Sequence, residues 1–195
     1  MTPVGPPGGA GAGMRHPFLT EAAKVLAGHE IGTLRYEFEY MEAKKRRVDP
    51  PAVAVARVRE AVAEAARAAP RVPLIAGGKS FGGRMTSTAQ SEEPLPGVRG
   101  LVFLGFPLHA PGRAGVERAA HLEQVRAPML FLQGTRDDFA RLDLLQSVIV
   151  GLGDRATLHL VDGGDHSFKV RGRQPADVMS ELAETIADWT AALVG

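Results

Sequence analysis

The chain has 195 residues, 45% of them hydrophobic, and 23 Lys+Arg stand against 22 Asp+Glu for a formal net charge of +1. That length suits one sizeable core rather than two comfortable domains, and so balanced a charge argues against broad electrostatic capture of nucleic acid. Cysteine is absent, which excludes disulfides, thiolate catalysis and Cys-ligated metals, and no run approaches the roughly 18 consecutive apolar residues that a membrane-spanning helix requires.

Residues 1–8 are expected to be irregular, because Pro3, Pro6 and Pro7 cannot sustain a paired strand. They show neither a basic start nor an apolar h-region, so a cytoplasmic protein is expected. Residues 17–28 carry Phe18, Leu19, Ala22, Ala23, Val25 and Leu26 at helical spacing, with Gly28 and Gly32 at the end. Residues 33–40 alternate in type and predict a strand. The basic run Lys44-Lys45-Arg46-Arg47 falls in a loop and is expected to be solvated. Asp49-Pro50-Pro51 opens an alanine-rich helix reaching about residue 69.

Residues 71–77 form a short apolar run of the kind shown by a buried parallel strand, and residues 84–89 can continue as a helix. A second buried strand is expected at 100–106, a helix at 113–126, a strand at 128–134, a helix from 138 to 152, a strand at 157–161 and a last helix at 175–194. Five strand runs thus alternate with helices in a single domain over residues 1–195. The fold class is α/β: a mainly parallel sheet covered on both faces.

Between the strand at 71–77 and the helix after it stands Gly78-Lys79-Ser80-Phe81-Gly82. A G-x-S-x-G at a strand-to-helix turn is a nucleophile elbow: the serine takes a strained conformation, and side chains at the flanking glycines would collide with the adjacent elements. The turn exposes Ser80 Oγ and aims the Phe81 N–H at the place where charge develops on a carbonyl oxygen. An ordinary Gly-rich loop is the alternative reading of a bare G-x-S-x-G.

A serine hydroxyl needs a histidine to take its proton and a carboxylate to hold that histidine's tautomer. In this class of elbow the chain order is Ser, acid, His. Thr135-Arg136-Asp137-Asp138 follows the strand at 128–134, and Asp162-Gly163-Gly164-Asp165-His166 follows the strand at 157–161. Both lie past carboxyl ends of strands, where parallel sheets gather their chemistry. Ser80 is assigned as nucleophile, Asp137 as orienting acid and His166 as base. Asp138 is the alternative acid. His159 is expected to face outward or pack within a strand, His29 to cap a helix or lie on the surface, and His121 has no partner spacing.

Four blocks, residues 8–18, 77–84, 105–112 and 163–169, resemble those of one α/β-hydrolase family. It contains small bacterial predicted hydrolases, testis-expressed protein 30 and the hydrolase-like domain of an NSL-complex subunit, and is more distantly related to dienelactone hydrolases. The similarity runs from Gly8 over nearly the whole chain. It implies the same triad, and an oxyanion hole shared between the N–H groups of Phe81 and Ala10, with Gly9 as the other candidate donor. It also implies a sheet that lacks the usual first three strands here, with a gap beside the nucleophile strand, and an incomplete N-terminus is the expectation that follows.

Phe106, Pro107, Leu108 and His109 follow a strand end on the catalytic side, and Phe81, Met14 and Phe168 are expected to add apolar wall. Met14, Phe106 and His109 are the candidate substrate-binding residues. The insertion after Phe106 is short, so an open, shallow site is expected. Lys79 is expected at the surface or behind the site, with a bias toward acidic substrates as a further possibility. A phosphate-binding loop at residues 8–13 lacks the Gly-Lys-Ser/Thr ending it would need. The expected function is serine hydrolysis of an ester, thioester or similar acyl bond of a small-molecule substrate, with no metal or organic cofactor and no nucleic-acid or membrane partner. The alternative is a catalytically weak or inactive scaffold for protein interaction.

Overall fold

The structure, a computed structural model, describes residues 13–195. Its centre is a four-stranded parallel sheet in the order β1-β2-β3-β4, formed by Leu74–Lys79, Val98–Leu104, Met129–Gly134 and Ala156–Val161. The register pairs Gly78 with Phe103, Phe103 with Phe131 and Phe131 with Leu158.

The period-2 geometry of the strands divides their side chains between two faces. Leu101, Phe103, Met129 and Phe131 point into a core shared with Phe106, Leu122 and Leu145. Val102, Leu130 and Leu132 point the other way, onto Val178, Leu182 and Ile186 of the C-terminal helix α6 (Pro175–Val194) and Phe18 and Leu26 of α1 (Pro17–Gly28). β3 is buried along its whole length, in keeping with its apolar run Met129–Leu132. Gly100 lets α6 close on the sheet: a Cβ there would lie 2.6 Å from both Trp189 and Leu193.

A third cluster joins α3 (Pro51–Ala68) to α4 (Phe81–Glu92) through Ala54, Val55, Val58, Met85 and Ala89. Pro51 stands in the first turn of α3, where a missing N–H costs no intrahelical hydrogen bond. The short α2 (Glu39–Glu42) precedes it, and α5 (Leu142–Leu152) links β3 to β4.

Three sequence expectations are corrected. Residues 33–38 join no ladder, and the segment ends in α2, so the sheet has four strands among the described residues. Their alternation is used in aromatic packing instead. Phe38 meets Phe81 edge-on at 5.3 Å between ring centroids, and Tyr40 meets it at 6.1 Å. The helix expected at 113–126 is a 3-10 helix, Glu117–Gln124, preceded by irregular chain. The chain turns at Gly112, φ +74, and the N-cap Val116 stands at φ −124, ψ 5, outside helical geometry, so the helix starts only at Glu117. α5 begins at Leu142 rather than 138, because 137–140 form a turn in which the Ala140 N–H donates to the Asp137 carbonyl at 3.1 Å.

β1 occupies one end of the strand order, and its residues are all partly buried. Beside it lies a cleft of about 130 Å³ whose apolar lining includes Leu19, Leu34, Tyr36, Phe38 and Phe81.

Candidate active site

β1 runs straight into the elbow, and the turn falls on Ser80 at φ 51, ψ −117, a region that residues with side chains seldom adopt. Ser80 is held there by its own backbone. Its N–H donates to the Leu104 carbonyl at 3.1 Å, and its carbonyl accepts from the Arg84 N–H at 3.1 Å as α4 begins. Of the flanking glycines, Gly78 is tight, since a Cβ would come to 3.0 Å from Gly82 C and Gly83 N. Gly82 is not: among the described residues the nearest atom to its Cβ position is Phe38 Cε2 at 3.8 Å. The close approach expected at Gly82 occurs one residue later, where a Cβ on Gly83 would stand 2.7 Å from the Gly78 carbonyl oxygen.

The structure brings Ser80, His166 and Asp137 together from the ends of β1, β4 and β3. His166 Nε2 is 2.9 Å from Ser80 Oγ, and His166 Nδ1 is 2.7 Å from Asp137 Oδ2. Because Asp137 can only accept when ionised, Nδ1 carries the proton and Nε2 is free to accept from the Ser80 hydroxyl. The Asp137 side chain is fully buried and that of His166 is 13% exposed. Asp138, the alternative acid, is exposed.

Asp137 is held by two further donors, the Phe139 N–H to Oδ1 at 2.8 Å and Gln133 Nε2 to Oδ2 at 2.5 Å. Gln133 is completely buried, and its Oε1 accepts from the Phe106 N–H at 2.8 Å. Sequence reading missed this residue. The signal was a polar side chain near the end of the otherwise apolar run Met129-Leu130-Phe131-Leu132. It also missed Phe139, whose ring lies 4.3 Å from the imidazole of His166 between centroids. Gly105, at φ +71, leaves room for that imidazole: a Cβ there would touch His166 Nδ1 at 3.4 Å.

The His166 loop folds back on itself. The Asp165 carboxylate accepts from the N–H groups of Ser167 at 2.8 Å and Lys169 at 2.9 Å, and the Phe168 N–H donates to the Asp165 carbonyl at 2.9 Å. Lys79 Nζ donates to the His166 carbonyl at 2.6 Å and lies over the rings of Phe18 at 4.8 Å and Phe168 at 5.2 Å. Burial pulls the Lys79 ammonium down to about 8, against the opposing pull of Asp137 and Asp165. Lys79 therefore lies behind the histidine, where its cation faces rings and a carbonyl.

The Phe81 N–H is in the first turn of α4 and has no intrahelical acceptor, which is the arrangement an oxyanion donor needs. Ala10 and Gly9 lie outside the described residues. The expected apolar wall is corrected. Phe106 is 1% exposed and packs against Phe103 and Phe131, so it belongs to the core. Leu108 and Phe168 are buried as well. His109 is 7% exposed with both ring nitrogens engaged: the Arg141 N–H donates to Nε2 at 3.0 Å, and Nδ1 lies 3.0 Å from the Ala110 carbonyl. It pins two loops and has no free nitrogen for a substrate. Met14 is tied to Glu37 by its N–H at 3.1 Å and faces a cavity of about 540 Å³ lined by charged residues of α3, a cavity that includes neither Ser80 nor His166.

Three further histidines are structural. His29 caps α1 at its C-terminus, and His159 on β4 pairs with Glu181 at 2.8 Å. His121 Nε2 lies 2.7 Å from the buried Ser87 hydroxyl, and burial, with Arg84 nearby, pushes it down to about 4.

Several solved structures share this architecture. A dienelactone hydrolase from Anabaena variabilis superposes with a TM-score of 0.75 at 18% identity, covering 95% of this chain and 84% of its own. An alpha-beta serine hydrolase homologue from Coxiella burnetii gives 0.71 at 19%, over 90% of this chain and 77% of its own. A lidless serine hydrolase from Xanthomonas campestris gives 0.68 at 23%, over 90% and 75%. At these identities the likeness establishes the fold. The sequence pattern of the alpha/beta hydrolase domain matches residues 8–193, nearly the entire chain, and with Ser80 on its elbow and His166 within reach, the protein belongs to the alpha/beta hydrolase family.

Proposed function

We propose that the protein is a serine hydrolase that cleaves an ester, thioester or similar acyl bond. The observation that carries this reading is the continuous path from Ser80 Oγ through His166 to the buried Asp137, with hydrogen-bond distances of 2.9 and 2.7 Å. In the first half-reaction Ser80 Oγ bonds to the acyl carbon while its proton passes to His166 Nε2. The carbonyl oxygen becomes an oxyanion facing the Phe81 N–H, and the proposed second donor is Ala10. Collapse breaks the bond to the leaving alcohol or thiol, which takes the proton from Nε2. Water then attacks the acyl-enzyme, giving its proton to His166, and Ser80 recovers its proton as the acid leaves.

Asp137 stays ionised throughout and faces the imidazolium, whose charge its burial makes more strongly felt. No step calls for a metal or organic cofactor. The neighbours described as an esterase domain from Rhodothermus marinus and a ferulic-acid-bound protein from Butyrivibrio proteoclasticus are compatible with acyl chemistry on this scaffold. Within the family, the four sequence blocks at 8–18, 77–84, 105–112 and 163–169 favour the branch of testis-expressed protein 30 and the NSL-complex subunit.

The experiment is covalent labelling of the purified protein with a fluorophosphonate. Phosphonylation of Ser80, abolished by Ser80→Ala and strongly slowed by His166→Ala, is the expected result. Folded protein that takes up no label supports the alternative, a fold retained as an interaction scaffold.

A further inference from the structure

Lys79 is an unusual residue to find behind a nucleophile. It immediately precedes Ser80 on β1, is only partly exposed, and forms no ion pair among the described residues. Its Nζ instead donates to a main-chain carbonyl, that of His166, at 2.6 Å, across 87 positions of sequence. The rings of Phe18 on α1 and Phe168 in the histidine loop flank the ammonium at 4.8 and 5.2 Å, and stack on each other at 5.8 Å. Phe168 keeps this place at φ 61, a left-handed conformation unusual for an aromatic residue.

Placing a cation here carries a desolvation cost, and a methionine would fill the same slot without it. The geometry identifies what the ammonium does in return. The loop that carries His166 is closed internally through Asp165, but among the described contacts of the His166 main chain only Lys79 ties its carbonyl to the strand that bears the nucleophile. The anchor of His166 is therefore the last residue of β1, and Ser80 is the next residue, at the turn. The 2.9 Å separation between Oγ and Nε2 is set over the shortest possible path.

We propose that Lys79 is a positioning residue for the histidine: held between Phe18 and Phe168, it clamps the His166 carbonyl to β1 and so fixes the imidazole against Ser80. This rests on the serine-hydrolase reading for its catalytic consequence, but the clamp itself is a structural claim that can be read separately.

The test uses the full chain as wild type, Lys79→Met, Lys79→Gln and Lys79→Arg. Methionine keeps the apolar stem without the donor, glutamine carries a donor on a stem too short to reach, and arginine keeps both reach and charge. The readouts are kcat and KM for p-nitrophenyl acetate, the rate of fluorophosphonate labelling, and hydrogen exchange of the Ser167, Phe168 and Lys169 amides. K79M and K79Q are expected to lower kcat and the labelling rate between about tenfold and a hundredfold with KM unchanged, as expected for a displaced proton acceptor. The three amides are expected to exchange faster, and K79R to recover part of both losses.

Kinetics within about twofold of wild type together with unchanged loop exchange, in whichever of K79M and K79Q folds, would overturn the proposal. A lowered kcat with equal loss in K79R and no change in exchange would also overturn it, because the effect would then not run through the clamp. If the wild-type protein neither hydrolyses the ester nor labels, the hydrolase reading fails, and exchange alone decides: faster loop amides uphold the clamp, unchanged ones remove it.

Discussion

Asp137 is supported on both carboxylate oxygens, with His166 Nδ1, the Phe139 N–H and Gln133 Nε2 all directed at them. Three donors around a buried carboxylate fix its plane, which in turn fixes the imidazole. Asp137→Asn should reverse the tautomer preference of His166 and lower kcat by a factor on the order of 10⁴, as in serine triads generally, whereas Asp138→Asn should leave it unchanged. Esterase assays on the two variants distinguish their roles directly. Gln133 shows how such support spreads. Gln133→Met keeps the volume but leaves the buried Phe106 N–H without its acceptor, at a cost of about 1–3 kcal/mol in a urea melt. It also removes one donor from Asp137, so kcat should fall alongside stability. A variant that loses stability but keeps full kcat would mean that Gln133 supports the strand end and not the acid.

At the scale of elements, the elbow separates two adjacent glycines of α4, Gly82 at the end of the motif and Gly83 just past it. A Cβ on Gly83 would lie 2.7 Å from the Gly78 carbonyl oxygen, a backbone atom that cannot swing away, and 3.2 Å from Phe103. Gly83→Ala should therefore destabilise by about 1–3 kcal/mol or more as α4 is pushed off β1. Gly82 is on the same helix at ordinary φ, and among the described residues nothing comes closer to its Cβ position than 3.8 Å, so Gly82→Ala should be stabilising by roughly 0.4–1 kcal/mol. Paired thermal melts of the two variants test this, and equal destabilisation would contradict it. The meeting of Ser80, Asp137 and His166 was legible because parallel α/β folds gather polar residues at strand ends, and those following the apolar runs at 128–134 and 157–161 mark those ends. The segment at 33–38 was not legible. Its alternation states only that one side is buried, and a period of two is met as well by aromatic packing on Phe81 as by a ladder. The substrate wall failed for a related reason: Phe106 and His109 follow a strand end as wall residues would, yet the loop carries them inward to the core and to the Arg141 N–H.

Across the whole molecule, two groups far from each other make stability rise with pH in separate windows. His121, held against Ser87, is pushed down to about 4 from 6.5, so between those values the unfolded chain binds a proton that the folded chain does not. Stability then rises with pH through that range, and is lost as pH falls through 4. Lys79 behaves alike at the other end: lowered from 10.5 to about 8, it makes the folded state gain on the unfolded state from pH 8 upward. Around it stand Asp137 and Asp165, which act to keep it charged, and His16 at the start of α1, which is itself lowered by burial and by the lysine. Tyr36 and Tyr40, raised by burial to about 12, work in the opposite direction above pH 10, because the folded chain then holds protons the unfolded chain has released. The lysine's signature is therefore clean between pH 8 and 10. Melting temperatures of the wild type should climb from pH 4 to 6.5, and again from 8 to 10. His121→Gln, which keeps a donor for Ser87, should flatten the first rise, and Lys79→Met the second, each by a few degrees relative to wild type. Curves that run parallel to wild type in both variants would show that neither buried base loses its proton on folding.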